Sequence, residues 1–354
     1  MLALLRTPLA LSFLLASAAA LPSCKSKEAT SNTGEVAKLP TTGDDAGVET
    51  DAPQADAAPF ALEPAPPLAA TPLGMPNAPS PDYNATTAEK VALGSELFVD
   101  PSLSANGETA CASCHDPAHG FSSPESINKT AAGTANQRHT PSLVNIAYHS
   151  EFYWDGRTSP LEAHILGHWQ GQLGLAPAKA VERMATSERY VAHFTRAFDS
   201  EPDRDRAAEA LAAYVRSLVR GNSKWDRYEA GDATAVSKDA IAGSIIFNER
   251  AGCATCHAPP LYTDLKYHNL GLPTSAPPDV GRGAHTGHTN DQGAFKTPGL
   301  RGVSQSAPYF HNGSAATLIQ VLEHKESQGS PRLTPLERRQ VIAFLETLTG
   351  EPLP

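Results

Sequence analysis

The 354-residue sequence predicts a mainly α-helical protein of two similar domains, with long loops and little strand. Apolar residues recur at helical spacing in several segments, whereas the alternating pattern of strands is nearly absent. These helical segments lie near residues 87–98, 177–198, 204–220, 238–251 and 335–349. One pentapeptide occurs twice, as C-A-S-C-H and C-A-T-C-H, and a similar stretch precedes each copy, at residues 94–98 and 243–247. This repetition indicates one small domain used twice.

Both pentapeptides have the C-x-x-C-H spacing that attaches a haem c covalently. Two thioethers hold the porphyrin, and the adjacent histidine becomes the proximal iron ligand. The residues concerned are Cys111, Cys114, His115, Cys253, Cys256 and His257. A zinc or redox CxxC site needs neither a histidine directly after it nor a second copy. The sequence therefore predicts two cytochrome c-type domains with one covalent haem c each.

The fifth cysteine, Cys24, follows a segment typical of export. Residues 1–23 have the basic and then apolar layout of a signal peptide, and the apolar stretch is too short to span a membrane. Leu21-Pro22-Ser23-Cys24 resembles a bacterial lipobox, whose cysteine is lipidated. Ordinary cleavage after one of the alanines is the alternative. We expect a periplasmic lipoprotein with a lipid anchor at Cys24.

Composition divides the rest of the chain. Residues 24–82 are rich in Ala, Pro, Asp and Thr and predict a disordered tether. The N-terminal haem domain is expected at 83–234 and the C-terminal one at 235–354, where Ser237 caps a new helix. The formal net charge of −10, without a Lys/Arg tract, argues against nucleic acid as a partner. The pattern gives no indication of the oligomeric state.

Around the two motifs the sequence resembles the bacterial diheme cytochrome c peroxidases and the related MauG enzymes. The matching stretches lie at residues 93–101, 114–121, 140–145, 152–157, 267–271, 296–301 and 308–313. The resemblance implies that one haem reacts with hydrogen peroxide and the other accepts electrons from a small donor protein of the cytochrome c or cupredoxin type. It also implies that Trp154 relays electrons between the haems; simple packing at a domain interface is the alternative.

The distal side of the N-terminal haem departs from the family pattern. The run from Phe121 to Arg138 lacks the histidine that is the sixth ligand in members needing reductive activation, so we expect this haem to be open to peroxide. Ungapped alignment from Trp154 puts His164 at the family's distal glutamine, and its glutamate is missing. His164, with His168 behind it, is the expected proton-transfer group. Alternatively one of them ligates the iron, or both are surface residues.

The C-terminal haem departs as well. The family's sixth ligand, a methionine or in MauG a tyrosine, falls on Lys325 here, and the chain's methionines are Met1, Met75 and Met184. Lys325 fits by position and His324 by chemistry, because a bound lysine must first lose a proton; the alternative is that neither binds. Loss of methionine should lower the reduction potential of this haem.

Calcium is commonly bound between the haems in this family, partly through an asparagine that is His139 here. Imidazole is a poor ligand for this hard cation, although Ser306 and Pro308 could still offer oxygens. Four other matched residues are expected to contact propionates or to fix loops, namely His119, His268, Arg301 and His311.

Together these features predict an exported diheme cytochrome c peroxidase-type enzyme that reduces hydrogen peroxide with electrons from a small redox protein. One alternative is a MauG-like diheme oxidase that acts on a partner protein, which the absent methionine and distal histidine favour. The other is a diheme electron-transfer protein without peroxide chemistry, which the missing glutamate would permit. Fast reaction with peroxide would exclude the last, and turnover with reduced cytochrome c would favour the first.

Overall fold

Ten α-helices and one two-stranded sheet form the described part of a computed structural model, residues 62–273 and 277–353. The helices are α1 Ala88–Val99, α2 Leu161–His168, α3 Pro177–Ala185, α4 Glu188–Phe198, α5 Arg204–Ser217, α6 Lys224–Glu229, α7 Lys238–Ile245, α8 Gly283–Thr286, α9 Leu318–Ser327 and α10 Pro335–Thr347. The antiparallel strands are β1 Tyr267–Asn269 and β2 Ala294–Lys296. This confirms the mainly α-helical prediction. The expected signal peptide, Cys24 and most of the expected tether lie outside the described residues.

Local capping explains where the helices begin. The Thr87 side chain accepts a hydrogen bond from the backbone at the start of α1, and Ser237 does the same for α7. The single helix expected at 177–198 is two helices, because Ser187 caps α4 with its side chain. Serine competes with helix-interior hydrogen bonding and so favours a helix start. The helix expected at 238–251 ends in a π-helical turn, Ile246–Arg250.

The repeated stretch before each C-x-x-C-H motif forms the same packing contact in both halves. Gly94 of α1 lies against the Ala210 backbone of α5, where an added Cβ would be 2.1 Å from the carbonyl oxygen. Gly243 of α7 lies in the same way against the Gln340 carbonyl of α10, at 1.8 Å. Only glycine allows such close helix approach. The following aromatic residues of the two stretches are buried.

Two hydrophobic cores result. The first lies mainly between α1, α2, α4 and α5, and the second joins α6, the π-helical turn after α7, α9 and α10. Trp225 of α6 packs on Phe344 with ring centroids 4.7 Å apart, so α6 belongs by packing to the second core although it precedes the boundary expected near residue 234. None of the described helices is long and apolar enough to cross a membrane.

Residues 62–82 differ from the disordered tether expected there. The Leu73 amide donates to the Asn222 side chain at 2.8 Å, and the Tyr148 hydroxyl donates to the Pro76 carbonyl at 2.6 Å. Arg301 donates to the Gly74 carbonyl at 3.1 Å. Backbone groups of this segment are thus hydrogen-bonded to the rest of the protein. Amino-acid composition alone does not reveal such contacts.

Candidate active site

Each C-x-x-C-H motif folds into a short 3₁₀ turn, Cys111–Ser113 or Cys253–Thr255, followed by its histidine. The Nδ1 of His115 lies 3.1 Å from the Phe121 carbonyl oxygen, and the Nδ1 of His257 lies 2.9 Å from the Tyr262 carbonyl oxygen. A carbonyl only accepts, so Nδ1 carries the proton and Nε2 is left free for a metal. The two proximal sites are therefore built alike.

These residues fit haem c. The four cysteines of the motifs form no disulfide, so their sulfur atoms are available for thioether bonds. A cavity of about 590 Å³, large enough for a prosthetic group, is lined by Cys253, Cys256 and His257. With Nδ1 bonded to a carbonyl in both histidines, each Nε2 is available to bind an iron.

On the N-terminal side, two histidines of α2 surround the Tyr153 ring. The ring centroid of Tyr153 lies 4.2 Å from that of His164 and 4.9 Å from that of His168, and the two imidazoles are 4.4 Å apart. The Nδ1 of His164 is buried and has no hydrogen-bond partner. Burial, with smaller effects of nearby positive charge, lowers the pKa of His164 to about 2 and that of His168 to about 3. Both imidazoles are therefore neutral at neutral pH.

The loop at residues 152–158 positions these rings. The Phe152 amide donates to the Thr158 carbonyl at 2.9 Å, which closes the loop, and Tyr153 adopts a left-handed backbone with φ 66°. The guanidinium of Arg157 lies 3.4 Å from the Tyr153 ring centroid. The Asp155 carboxylate accepts from Arg157 at 2.8 Å and from Arg138 at 2.6 Å. Sequence reasoning missed Tyr153 and Arg157, although both fall in the matched stretch at 152–157.

Trp154 contacts both halves of the molecule. Its Nε1 donates to the His139 carbonyl at 2.8 Å, and its own carbonyl accepts from the Lys296 amide in β2 at 2.7 Å. It lines the same cavity as Cys253 and His257. Trp154 thus connects the loop that carries Tyr153 with the cavity of the second C-x-x-C-H motif.

The structure separates the two candidate ligands on α9. Lys325 lines the cavity with the second C-x-x-C-H motif. The Nε2 of His324 instead lies 2.8 Å from the Leu270 carbonyl oxygen, and its ring packs on Phe310 at 5.3 Å between centroids. Only the lysine reaches the cavity.

Ser306, Pro308 and His139, the residues of the calcium expectation, all line this cavity. His139 is buried, and its Nδ1 lies 3.1 Å from the Glu125 carbonyl oxygen. The Ser306 hydroxyl donates to the Val303 carbonyl at 3.2 Å. His139 and Ser306 thus each form a hydrogen bond to a backbone carbonyl oxygen. Carbonyl oxygens are among the ligands that Ca²⁺ prefers, so these two are already bonded to protein groups.

Four residues were expected either to contact haem propionates or to hold loops in place, and Arg301 holds loops. It forms a bidentate ion pair with Asp226, both distances 2.8 Å, and donates to the Pro260 carbonyl at 2.6 Å. His311 stacks on Phe295 with centroids 3.5 Å apart. His119 pairs with Asp116, and His268, which lines the cavity, pairs with Asp264.

Comparison with known proteins supports this arrangement. The profile described as "Di-haem cytochrome c peroxidase" matches residues 88–234, and that described as "RoxA-like, cytochrome c-like" matches residues 294–329. Methylamine utilization protein MauG of Methylorubrum extorquens is 37% identical over 291 residues, covering 77% of this chain and 82% of that protein. Cytochrome-c peroxidase IdrP1 of Denitromonas iodatirespirans is 35% identical over 329 residues, covering 80% and 88%.

A solved structure is similar in fold over the same region. It is a MauG-like protein associated with microbial copper homeostasis, with a TM-score of 0.72 and 26% identity, covering 79% of this chain and 95% of that one. Family membership implies two haem c groups and an oxidoreductase activity. On the family profile and these relatives, the chain belongs to the di-haem cytochrome c peroxidase/MauG family.

Proposed function

We propose that this enzyme reduces hydrogen peroxide at a haem held by Cys111, Cys114 and His115. Electrons would enter from a small redox protein at a second haem, held by Cys253, Cys256 and His257. The bound haem supplies the redox-active iron at which the peroxide O–O bond is reduced. The observation that carries the proposal is His164, a neutral imidazole near His115 with a buried and partnerless Nδ1.

His164 performs the proton transfer in this proposal. Reduction of one hydrogen peroxide takes two electrons and two protons and gives two waters. A neutral imidazole can accept the first proton from peroxide at Nδ1 and return it to the departing oxygen. The His168 ring lies 4.4 Å from that of His164 and packs against its edge. In this proposal the Nδ1 of His164 has no protein partner because it binds the proton of the substrate.

Trp154 is the proposed electron relay. Its indole lies in the cavity of the second motif and belongs to the loop that also carries Tyr153, which touches the distal histidines. Replacement by phenylalanine should leave the reaction with peroxide intact while slowing steady-state turnover with an electron donor. The matched control is Trp225→Phe, which alters an indole of the second core away from the relay.

The experiment that tests the proposal is stopped-flow reaction of the purified diheme protein with peroxide. His164→Ala should slow this reaction by roughly 10²- to 10⁴-fold, the usual contribution of a general acid-base group. The exposed His285→Ala is the control and should match the wild type. An unchanged rate in His164→Ala would remove this residue from the mechanism. If the wild-type protein does not react with peroxide, peroxidase function is rejected and electron transfer is the remaining function.

A MauG-like oxidase is the second candidate. Lys325 lies in the cavity where the peroxidases of the family are expected to carry methionine, and MauG of Methylorubrum extorquens is among the relatives. Such an enzyme would direct its oxidising power at a partner protein. Multiple turnovers with reduced cytochrome c would favour the peroxidase; fast reaction with peroxide without such turnover would favour the oxidase.

We also propose export and lipid anchoring through Cys24. The sequence signal at residues 21–24 supports it, and haem c attachment takes place outside the cytoplasm, which agrees with export. Cys24→Ser should move the protein from the membrane fraction to the soluble periplasmic fraction without changing its haem content. A variant that stays with the membrane would contradict the anchor.

A further inference from the structure

Two tyrosine rings near Trp154, those of Tyr153 and Tyr267, are covered by cations. The Arg157 guanidinium lies 3.4 Å from the Tyr153 ring centroid, and the Arg282 guanidinium lies 3.8 Å from that of Tyr267. Lys296 lies 6.0 Å from the Tyr267 centroid. Among the described residues, no lysine or arginine stacks on Trp154 in this way. Tyr153 and Tyr267 thus each have a guanidinium over the ring, whereas Trp154 does not.

A cation over a ring changes how readily the ring loses an electron. The attraction between cation and π-face becomes repulsion once the ring itself carries positive charge. Burial also raises the pKa of Tyr153 and Tyr267, which keeps both phenols protonated and harder to oxidise. The hydrogen bond from the Trp154 Nε1 to the His139 carbonyl acts in the opposite direction, because the negative end of the carbonyl dipole stabilises positive charge on the indole.

Both arginines are held in place over their rings. The Asp155 carboxylate binds Arg157, and the Glu151 carboxylate binds Arg282 at 3.2 Å. These carboxylates offset part of each charge. However, Asp155 also binds Arg138, and Glu151 also accepts from the Tyr267 hydroxyl at 2.6 Å. The guanidinium groups, not the carboxylates, contact the ring faces.

We propose that Arg157 and Arg282 protect Tyr153 and Tyr267 from oxidation and so confine the oxidising equivalent to Trp154. This inference rests on the proposed reaction with peroxide. Hydrogen peroxide is the oxidant and takes two electrons and two protons to give two waters. Without a donor protein, one electron leaves the Trp154 indole and the haem irons supply the other. When Arg157 is absent, the Tyr153 phenol competes for this step; it loses one electron, and its proton passes to the adjacent His164 imidazole.

The test uses the diheme protein treated with peroxide in the absence of donor. Arg157→Gln should raise the fraction of Tyr153 found as hydroxylated or cross-linked tyrosine, measured by peptide mass spectrometry, by about tenfold. Freeze-quench EPR with ring-deuterated tyrosine should show a tyrosyl signal at the expense of the tryptophan signal. Arg157→Lys retains the cation and should restore the wild-type pattern. Arg282→Gln should raise oxidation of Tyr267 in the same way.

Two controls keep the outcome interpretable. Arg189→Gln removes an exposed arginine of α4, whose side chain is 57% exposed, and should leave tyrosine oxidation unchanged. Arg157→Gln combined with Tyr153→Phe should abolish the new tyrosyl signal. Suppose that the haem-loaded Arg157→Gln protein still reacts with peroxide and yet shows Tyr153 oxidation at the wild-type level. That result would overturn this inference and leave the proposed function intact. Failure of the wild type to react with peroxide would instead reject the proposed function.

Discussion

The backbone amide of Lys296 donates a 2.7 Å hydrogen bond to the carbonyl oxygen of Trp154, so strand β2 holds the relay loop directly. Lys296 is only 8% exposed, and its side chain also donates to the carbonyl of Glu151, just before the same loop. Burial lowers the pKa of this ammonium to about 8, with the Glu151 carboxylate opposing the shift. The loop that carries Tyr153 and Trp154 is therefore set by residues of the C-terminal half.

Gly156→Ala tests how closely this loop is fitted to β1. An added Cβ would lie 1.8 Å from the Tyr267 hydroxyl oxygen, and Gly156 has a φ of +71°. Backbone strain alone costs about 1–2 kcal/mol, and the clash adds the loss of the Tyr267–Glu151 hydrogen bond, about 1–2 kcal/mol. We expect a fall in the melting temperature of the haem-loaded protein, measured by circular dichroism, clearly larger than that of the control below.

Gly133→Ala is the matched control. Gly133 has a φ of +80° and no atom within 4 Å of an added Cβ, so it carries the backbone strain without the clash. Equal melting temperatures for the two variants would contradict the close fit of Gly156 against Tyr267.

Arg301→Leu should be among the most destabilising single changes. Its ion pair with Asp226 is almost fully buried, with side chains 3% and 1% exposed, and removal leaves an unpaired buried carboxylate. Such losses cost about 3–5 kcal/mol. The same change also frees the Gly74 carbonyl, so we expect faster proteolysis near residues 62–82. The exposed pair Arg204–Asp205 supplies the control, since Arg204→Ala should leave stability nearly unchanged.

Acid should weaken the same contact. Burial alone would raise the pKa of Asp226, but hydrogen bonds and charge from Arg301 outweigh it and lower the pKa below its ordinary value. A group with a depressed folded pKa stabilises the protein above its unfolded pKa, near 3.9 for aspartate, and loses that contribution as the pH falls through the folded pKa. Asp226→Asn should therefore flatten the fall in melting temperature below about pH 4. If the melting temperature of Asp226→Asn falls as steeply with pH as that of the wild type, other groups cause the acid sensitivity.

Lys325 and His324 give opposite expectations for the second haem. Lys325→Ala should change the optical and EPR spectra of this haem, because only Lys325 reaches the cavity, whereas His324→Ala should leave them unchanged. Lys325→Met should raise the reduction potential, since methionine ligation does so in cytochromes c. Spectra altered by His324→Ala and not by Lys325→Ala would reverse the assignment.

The reaction with peroxide should be nearly independent of pH between about 5 and 8. Burial lowers the pKa of both His164 and His168 so far that solvent does not protonate either resting imidazole in this range. A histidine with an ordinary pKa near 6.5 would instead lose its basic form, and with it the rate, below that pH. The measurement is the stopped-flow rate of the reaction with peroxide over this pH range. A tenfold fall in rate per pH unit below 6.5 would contradict the lowered pKa of these two histidines.

Much of the site could be predicted from local sequence. The C-x-x-C-H spacing specifies covalent haem attachment and a proximal histidine through residues that are neighbours in the chain. The glycine-containing repeats at 94–98 and 243–247 likewise predicted two similar domains, and Gly94 and Gly243 make the same close helix contact. The break at Ser187 was missed because the flanking apolar residues keep helical spacing across it.

The contacts that distinguish candidate residues required the fold. His324 and Lys325 are adjacent in the chain, and only the turn of α9 against Leu270 sends one to a backbone carbonyl and the other to the cavity. The cations over Tyr153 and Tyr267 come from packing between distant segments, since Arg282 and Asp155 meet across 127 residues. The sequence by itself determined the cofactor sites, because their ligands are local in the chain. Tertiary structure decided the surroundings of Trp154, because burial and charge there depend on residues brought together from both halves.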